Sequence, residues 1–100
     1  MSHFSTIKTQ IRNLTSLKSA LDDLGVDWKT GPRSIRGYQG QTRNAEVVLE
    51  QENNYDIGFS WNGQEYELVA DLQYWQQPLT VEGFLQRVTQ RYAYHTVVEE

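Results

Sequence analysis

The chain contains no cysteine. Disulfides, thiolate metal sites and cysteine nucleophiles are therefore excluded together, an absence compatible with a reducing cytosol or stroma. Histidine is almost as scarce: His3 and His95 are the only two, and no H-x-x-x-H spacing supports them as metal ligands. No stretch approaches the ~18 consecutive apolar residues of a membrane helix. Residues 1–10 carry neither an apolar leader core nor a run of arginines, so no secretory or transit peptide is visible. The expectation is a protein that works in the compartment where it is made.

What remains is the composition of one folded unit. One hundred residues, 38% hydrophobic and 22% charged, suit a single domain over residues 1–100. Three Trp, six Tyr and three Phe imply a core built on large rings. The net charge of −4 is unevenly spread. Residues 1–43 hold seven Lys/Arg against three Asp, whereas residues 44–100 hold two Arg against ten Asp/Glu. Such a swing marks either an interaction surface or an ordinary mixed surface once the halves fold together.

Local signals place the elements. The segment from His3 to Ile11 alternates, with Ile7 and Ile11 on one side, and reads as a strand. Asn13 fits a helix N-cap; Leu14, Leu17, Leu21 and Leu24 follow as one apolar stripe, and Gly25 with Val26 fits a C-terminal stop. Thr30-Gly31-Pro32 reads as a loop, because Gly and Pro break regular structure. Residues 34–39 and 44–51 read as short strands joined through Gly40-Gln41-Thr42-Arg43. Glu52-Asn53-Asn54 reads as a turn, residues 70–75 as a strand extension or edge, and Thr80 as the cap of a second helix with Phe84, Leu85, Val88 and Tyr92 on its apolar face.

Between them lies Asn62-Gly63, flanked by alternating apolar residues. A two-residue type I′ turn there sets Trp61 opposite Gln64, Phe59 opposite Tyr66 and Ile57 opposite Leu68. The same alternation puts Ile57, Phe59, Trp61, Tyr66 and Leu68 on a buried face and Ser60, Glu65 and Glu67 on the outer one. The resulting expectation is an α+β fold, a mainly antiparallel sheet of four or five strands with two helices on one face. A ferredoxin-like arrangement is one version of that plan, with the strand order left open.

Candidate chemistry is sparse. His3 and His95 read as structural or surface residues. Ser5, Ser34 and Ser60 lack the context of an activated nucleophile. The acids Glu46, Glu50, Glu65 and Glu67 read as a solvated sheet face. Residues 29–43 are more pointed: Lys29, Arg33, Arg36 and Arg43 lie among Gly31, Gly37, Gly40 and Tyr38. Cations on such a surface can hold a small anion or the acidic face of a partner, although no phosphate-loop pattern accompanies them. The acidic total disfavours nucleic acid. Trp61 reads as core, and Trp75, beside Gln76-Gln77-Pro78, as the aromatic most suited to face a partner.

Several stretches carry a resemblance. The opening from Met1 to Thr9, Tyr55-Asp56-Ile57-Gly58-Phe59 with its hairpin, Tyr74-Trp75, and Arg91-Tyr92-Ala93-Tyr94-His95 together resemble an uncharacterised cyanobacterial and plastid family called hypothetical chloroplast reading frame thirty-five. The resemblance implies a cyanobacterial cytoplasm or plastid stroma, and a partner of the small ferredoxin-like kind. It supplies no catalytic residue, cofactor or metal. It also implies further strand-like sequence after the second helix, so that a chain stopping at Glu99-Glu100 would be a short form. The expectation from residues and resemblance together is a non-enzymatic adaptor or regulatory accessory protein. The alternative is a small-anion-binding domain acting through residues 29–43.

Overall fold

The computed structural model describes residues 4–36 and 43–98, apart from the side chain of Arg43. In chain order these form β1 (Ser5–Lys8), α1 (Leu14–Asp23), β2 (Lys29–Ile35), β3 (Arg43–Leu49), β4 (Ile57–Trp61), β5 (Tyr66–Ala70) and α2 (Val81–Val98). A single 3-10 turn, Leu72–Tyr74, separates β5 from α2. The five strands make one antiparallel sheet ordered β1-β5-β4-β3-β2: β2 to β5 run as a meander, and β1 returns to pair with β5. The α+β plan with both helices on one face is therefore the observed one, with five strands of which β2 to β5 form a meander.

Helix α1 begins and ends where local chemistry dictates. The Asn13 side chain accepts from the Ser16 N–H, supplying a partner for a donor that has none inside the helix. At the other end Gly25 takes φ +69°, its N–H donates to Asp22 O, and Val26 N–H donates to Leu21 O. That pair of bonds turns the chain back so that Val26 packs under the helix. Helix α2 is capped by Thr80, whose Oγ1 accepts from Gly83 N–H. Its Phe84 and Val88 are buried, and Leu85 and Tyr92 pack beside them.

The main core lies between these helices and one face of the sheet. Leu17 and Leu21 from α1 and Phe84 and Val88 from α2 cover Val47, Leu49, Ile57, Phe59, Tyr66 and Leu68. Burying each large apolar side chain is worth roughly 1.5–3 kcal/mol. Ile11, with 1% of its surface exposed, sits beneath the link from β1 to α1. That link is tied down from both sides. Ile11 O accepts from Tyr66 N–H, and the Tyr92 hydroxyl of α2 accepts from both Arg12 and Asn13 N–H groups at 3.0 Å.

Several expectations are corrected. Thr30-Gly31-Pro32 belongs to β2 rather than a loop. β2 is an edge strand, and its register shifts between Thr30 and Arg33, so an edge bulge accommodates a residue without an N–H. The β4–β5 register pairs Trp61 with Tyr66 and Phe59 with Leu68, two residues away from the type I′ alignment. The reason is the Asn62 side chain: its Oδ1 accepts from both Gln64 and Glu65 N–H groups, and Asn62 N–H donates to Glu65 O, closing a four-residue turn. A shift of two preserves the faces, so Ile57, Phe59, Tyr66 and Leu68 still point into the core. Trp61 does not join them: it is 42% exposed, because it ends β4, and it leans on Tyr66 with ring centroids 4.9 Å apart. Residues 71–75 leave the sheet, since the Asp71 carboxylate caps the 3-10 turn through Gln73 N–H.

The opposite sheet face is not simply solvated. Ile35, Ala45, Val48 and Val69 form a second buried cluster with Phe4 against it. Ser60, expected outside, is buried and donates its hydroxyl to Asn44 O. The cluster exists because residue 58 is glycine: a Cβ there would lie 2.4 Å from Ile35 Cδ1, 2.9 Å from Ile35 Cγ1 and 2.8 Å from Ala45 Cβ. Ala45 Cβ has no rotamer with which to retreat. Gly58→Ala is expected to destabilise the domain by about 1–3 kcal/mol through overpacking, despite the gain strand residues usually make over glycine. Urea denaturation checks this, with partial recovery expected in Gly58→Ala/Ile35→Val.

Candidate functional site

Residues 29–43 are the first place to look. Arg36 is not free to meet a ligand. Its Nε and Nη2 donate to the Asp56 carboxylate, with Nη2 to Oδ1 at 2.8 Å, and its Nη1 donates to Asn54 Oδ1. The Arg36 N–H also donates to Asp56 Oδ2, and Asp56 N–H returns a bond to Arg36 O. Asp56 is buried at 2% exposure, so this cation serves to neutralise it at the sheet edge. These hydrogen bonds push the Arg36 pKa above its ordinary value.

Lys29 and Arg33 are exposed on β2. Lys29 Nζ lies 3.9 Å from Glu50 Oε1, a loose surface pair. The backbone of Arg43 opens β3 opposite Ile35, and its side chain lies outside the described residues, as do Gly37, Tyr38 and Gly40. A shallow depression of about 360 Å³ brings Arg33 and Arg36 together, but Glu50 and Asp56 share its lining. An anion there meets carboxylates as well as guanidinium groups.

Trp75 is half-buried. Its ring meets Phe84 edge-on at 5.5 Å, and its Nε1–H donates to Leu79 O at 2.8 Å. Its polar atom and one ring edge are used inside the fold, where they pin the segment that leads into α2.

His3 lies outside the described residues. His95 is on α2, where its Nε2 is 2.6 Å from Asp23 Oδ2. Arg91 donates to the same oxygen through Nε and Nη2 and rests over the Tyr94 ring. This cluster joins the end of α1 to α2. The hydrogen bond from His95, followed by that from Arg91, holds the Asp23 carboxyl below its usual range. The acids of the sheet also have structural work, since Glu46 Oε2 accepts from Trp61 N–H. Among the described residues no group of three or more His, Cys, Asp or Glu side chains is placed to hold a metal ion.

A second concavity lies elsewhere. A cleft of about 370 Å³ opens between the end of α1, the end of β3, residues 77–79 and the first turns of α2. Leu24, Val26, Leu49, Leu79 and Phe84 line it as apolar surface. Asp27, Glu50, Gln77 and Arg87 add polar groups. Among the described residues, neither Asp27 nor Arg87 takes part in an ion pair. Two local motifs build the walls: the Gly25 stop turns Val26 inward, and the Trp75–Leu79 bond sets the lip. Gln51 anchors that lip further. Its buried amide accepts from Gln76 N–H and Gln77 Nε2 and donates to Tyr55 O and Tyr74 O.

Sequence reading did not find this cleft. Its residues come from four separated segments, each with an ordinary local role. The usable signal was the pair of punctuation marks, Gly25-Val26-Asp27 and Pro78-Leu79-Thr80, that end one helix and begin the other.

Fold and site thus define a small α+β domain with an apolar cleft beside its second helix. Residues 20–100 match the family model described as Protein of unknown function (DUF1257), and the chain belongs to that family. It is 54% identical over 99 residues to "Uncharacterized protein ycf35" of Guillardia theta, covering 99% of this chain and 77% of that protein. The proteins of the same name from Cyanophora paradoxa and Pyropia yezoensis are 46% and 43% identical over 100 residues, covering all of this chain and 78% of each. These relatives are named as plastid-encoded proteins of algae, in agreement with the resemblance read from the sequence. No solved structure matches the chain. No helix among the described residues is long and apolar enough to cross a membrane.

Two outcomes test this geometry. Arg36→Met strips the buried Asp56 carboxylate of its charged partner and is expected to cost about 2–3 kcal/mol, read by chemical denaturation; Lys29→Met is expected to change stability by no more than about 0.5 kcal/mol. The second concerns pH. Because the folded pKa of Asp23 is lowered, the unfolded chain takes up the proton first, and the stabilisation is complete above the ordinary carboxylate value of 3.8. It is lost as pH falls below that value through the folded pKa. Denaturation series between neutral and strongly acidic pH should show this acid-side loss shrinking in Asp23→Asn relative to the unaltered chain.

Proposed function

We propose that this domain is a non-enzymatic protein–protein adaptor or regulatory accessory protein working in a plastid or cyanobacterial setting. The observation that carries the reading is the cleft beside α2: an apolar floor with Asp27 and Arg87 at its margin, neither in an ion pair among the described residues. Apolar surface rimmed by polar groups is the usual anatomy of an interaction site. The plastid setting rests on the algal relatives. A small ferredoxin-like protein is the partner class the family resemblance implies.

The competing reading, a small-anion site in residues 29–43, has less behind it. Arg36 is committed to Asp56, and the adjoining depression carries Glu50 and Asp56. Lys29 and Arg33 remain as exposed cations able to reinforce an acidic partner.

Tagged full chain, cross-linked in lysate of an alga or cyanobacterium that carries a member of this family, is expected to enrich one protein in stoichiometric amount. Lys29→Glu/Arg33→Glu is expected to weaken that capture several-fold in low salt. Absence of any stoichiometric protein partner would overturn the adaptor reading. Capture unaffected by the double reversal would remove the basic strand from the interface.

A further inference from the structure

We infer that the cleft beside α2 receives a short extended segment of a partner protein, one large apolar side chain flanked by a basic residue on one side and an acidic residue on the other. This inference rests on the adaptor reading and specifies where and what the domain binds.

The volume sets the scale. About 370 Å³ holds one large side chain with its neighbouring backbone, and lies at the small end of the range for ligand sites. The cleft is partly open to solvent, so a small molecule would keep part of its surface in water, whereas a chain lying across the mouth would cover the opening. The floor is chemically uniform. Leu24, Val26 and Leu49 meet Phe84 and Leu79 there, and Leu79 stays 38% exposed at the lip. Desolvating such a floor needs an apolar anchor such as Leu or Phe.

The margin sets the flanks. Asp27 follows the stop of α1, while Arg87 projects from α2, so the charges sit on different elements that line one cavity. Glu50 adds to the acidic content, held only loosely by Lys29 at 3.9 Å. A single-sign ligand would satisfy one charge and be repelled by the other. A segment with one basic and one acidic residue satisfies both, and the order of the two along the segment selects its direction.

The test uses end-blocked heptapeptides with a central Leu and Lys and Glu on opposite sides, in both orders. Binding to the full chain is followed by amide chemical-shift changes in two-dimensional NMR. Shifts are expected at Gly25, Val26, Leu79, Phe84 and Arg87, with one order preferred several-fold. Replacing the central Leu by Ser is expected to weaken binding about tenfold or more. In Asp27→Lys/Arg87→Glu, both exposed positions, the preferred order should invert. No cleft shifts with any peptide at millimolar concentration, or a preference indifferent to the swap, would overturn the inference. Free leucine binding as tightly as the peptide would also overturn it, in favour of a small-molecule site. The same double variant in the lysate capture separates the two readings. Equal capture by it and the unaltered chain sinks the cleft while sparing the adaptor; no capture by the unaltered chain sinks the adaptor.

Discussion

The structure depends on one apolar layer. Val47, Leu49, Ile57, Phe59 and Leu68 from three adjacent strands face Leu17, Leu21, Phe84 and Val88 from two helices, and all of them are essentially removed from water. Both helices lie on this side, so the burial that drives folding is concentrated there. The reverse face has no helical cover among the described residues, and its solution is local. Ile35 folds from the edge strand onto the backbone of Gly58, where the missing side chain leaves a socket, and shields Val48 and Val69. A glycine inside a strand weakens the strand by itself but permits the second cluster.

Polar groups then decide how the layer is bounded. The Tyr92 hydroxyl satisfies two backbone donors where the chain passes from β1 into α1. Asp56 and Arg36 close the edge near β2, and Asp23 gathers Arg91 and His95 where the helices meet. In each case a side chain distant in sequence fills hydrogen-bonding capacity that secondary structure leaves open. Charged residues that attract attention as chemistry in a linear reading are consumed in this way, and Arg36 and His95 are the clearest examples.

How much of this was legible follows from the range of each signal. Asn13, Gly25 and Thr80 act within four residues, so the helices could be read directly. The hairpin face was legible for the same reason, since alternation survives a shift of two. Its register was not: the Asn62 carboxamide joins its backbone N–H in closing a longer turn, and a dipeptide rule has no place for that choice. Gly31-Pro32 concealed a strand because breaking a ladder is tolerated only at a sheet edge, and edge status is a property of the whole topology. Trp61 and Ser60 exchanged their expected environments, one exposed at the end of β4 and the other buried and bonded to Asn44 O. The cleft was least legible, because no single segment contains more than a part of its wall.

Gln51 gives the cleft a mechanical character. One buried carboxamide joins the 51–55 turn, the Tyr74 carbonyl and residues 76–77, while Tyr55 and Tyr74 stack with ring centroids 4.0 Å apart. The lip that ends in Leu79 therefore stands on a braced abutment and not on a free loop. Most of the ordering entropy that a mobile rim would lose on association has already been lost on folding. A receptor edge set in advance in this manner discriminates by shape at encounter, and the affinity it delivers depends on the fit of the arriving surface more than on rearrangement of its own.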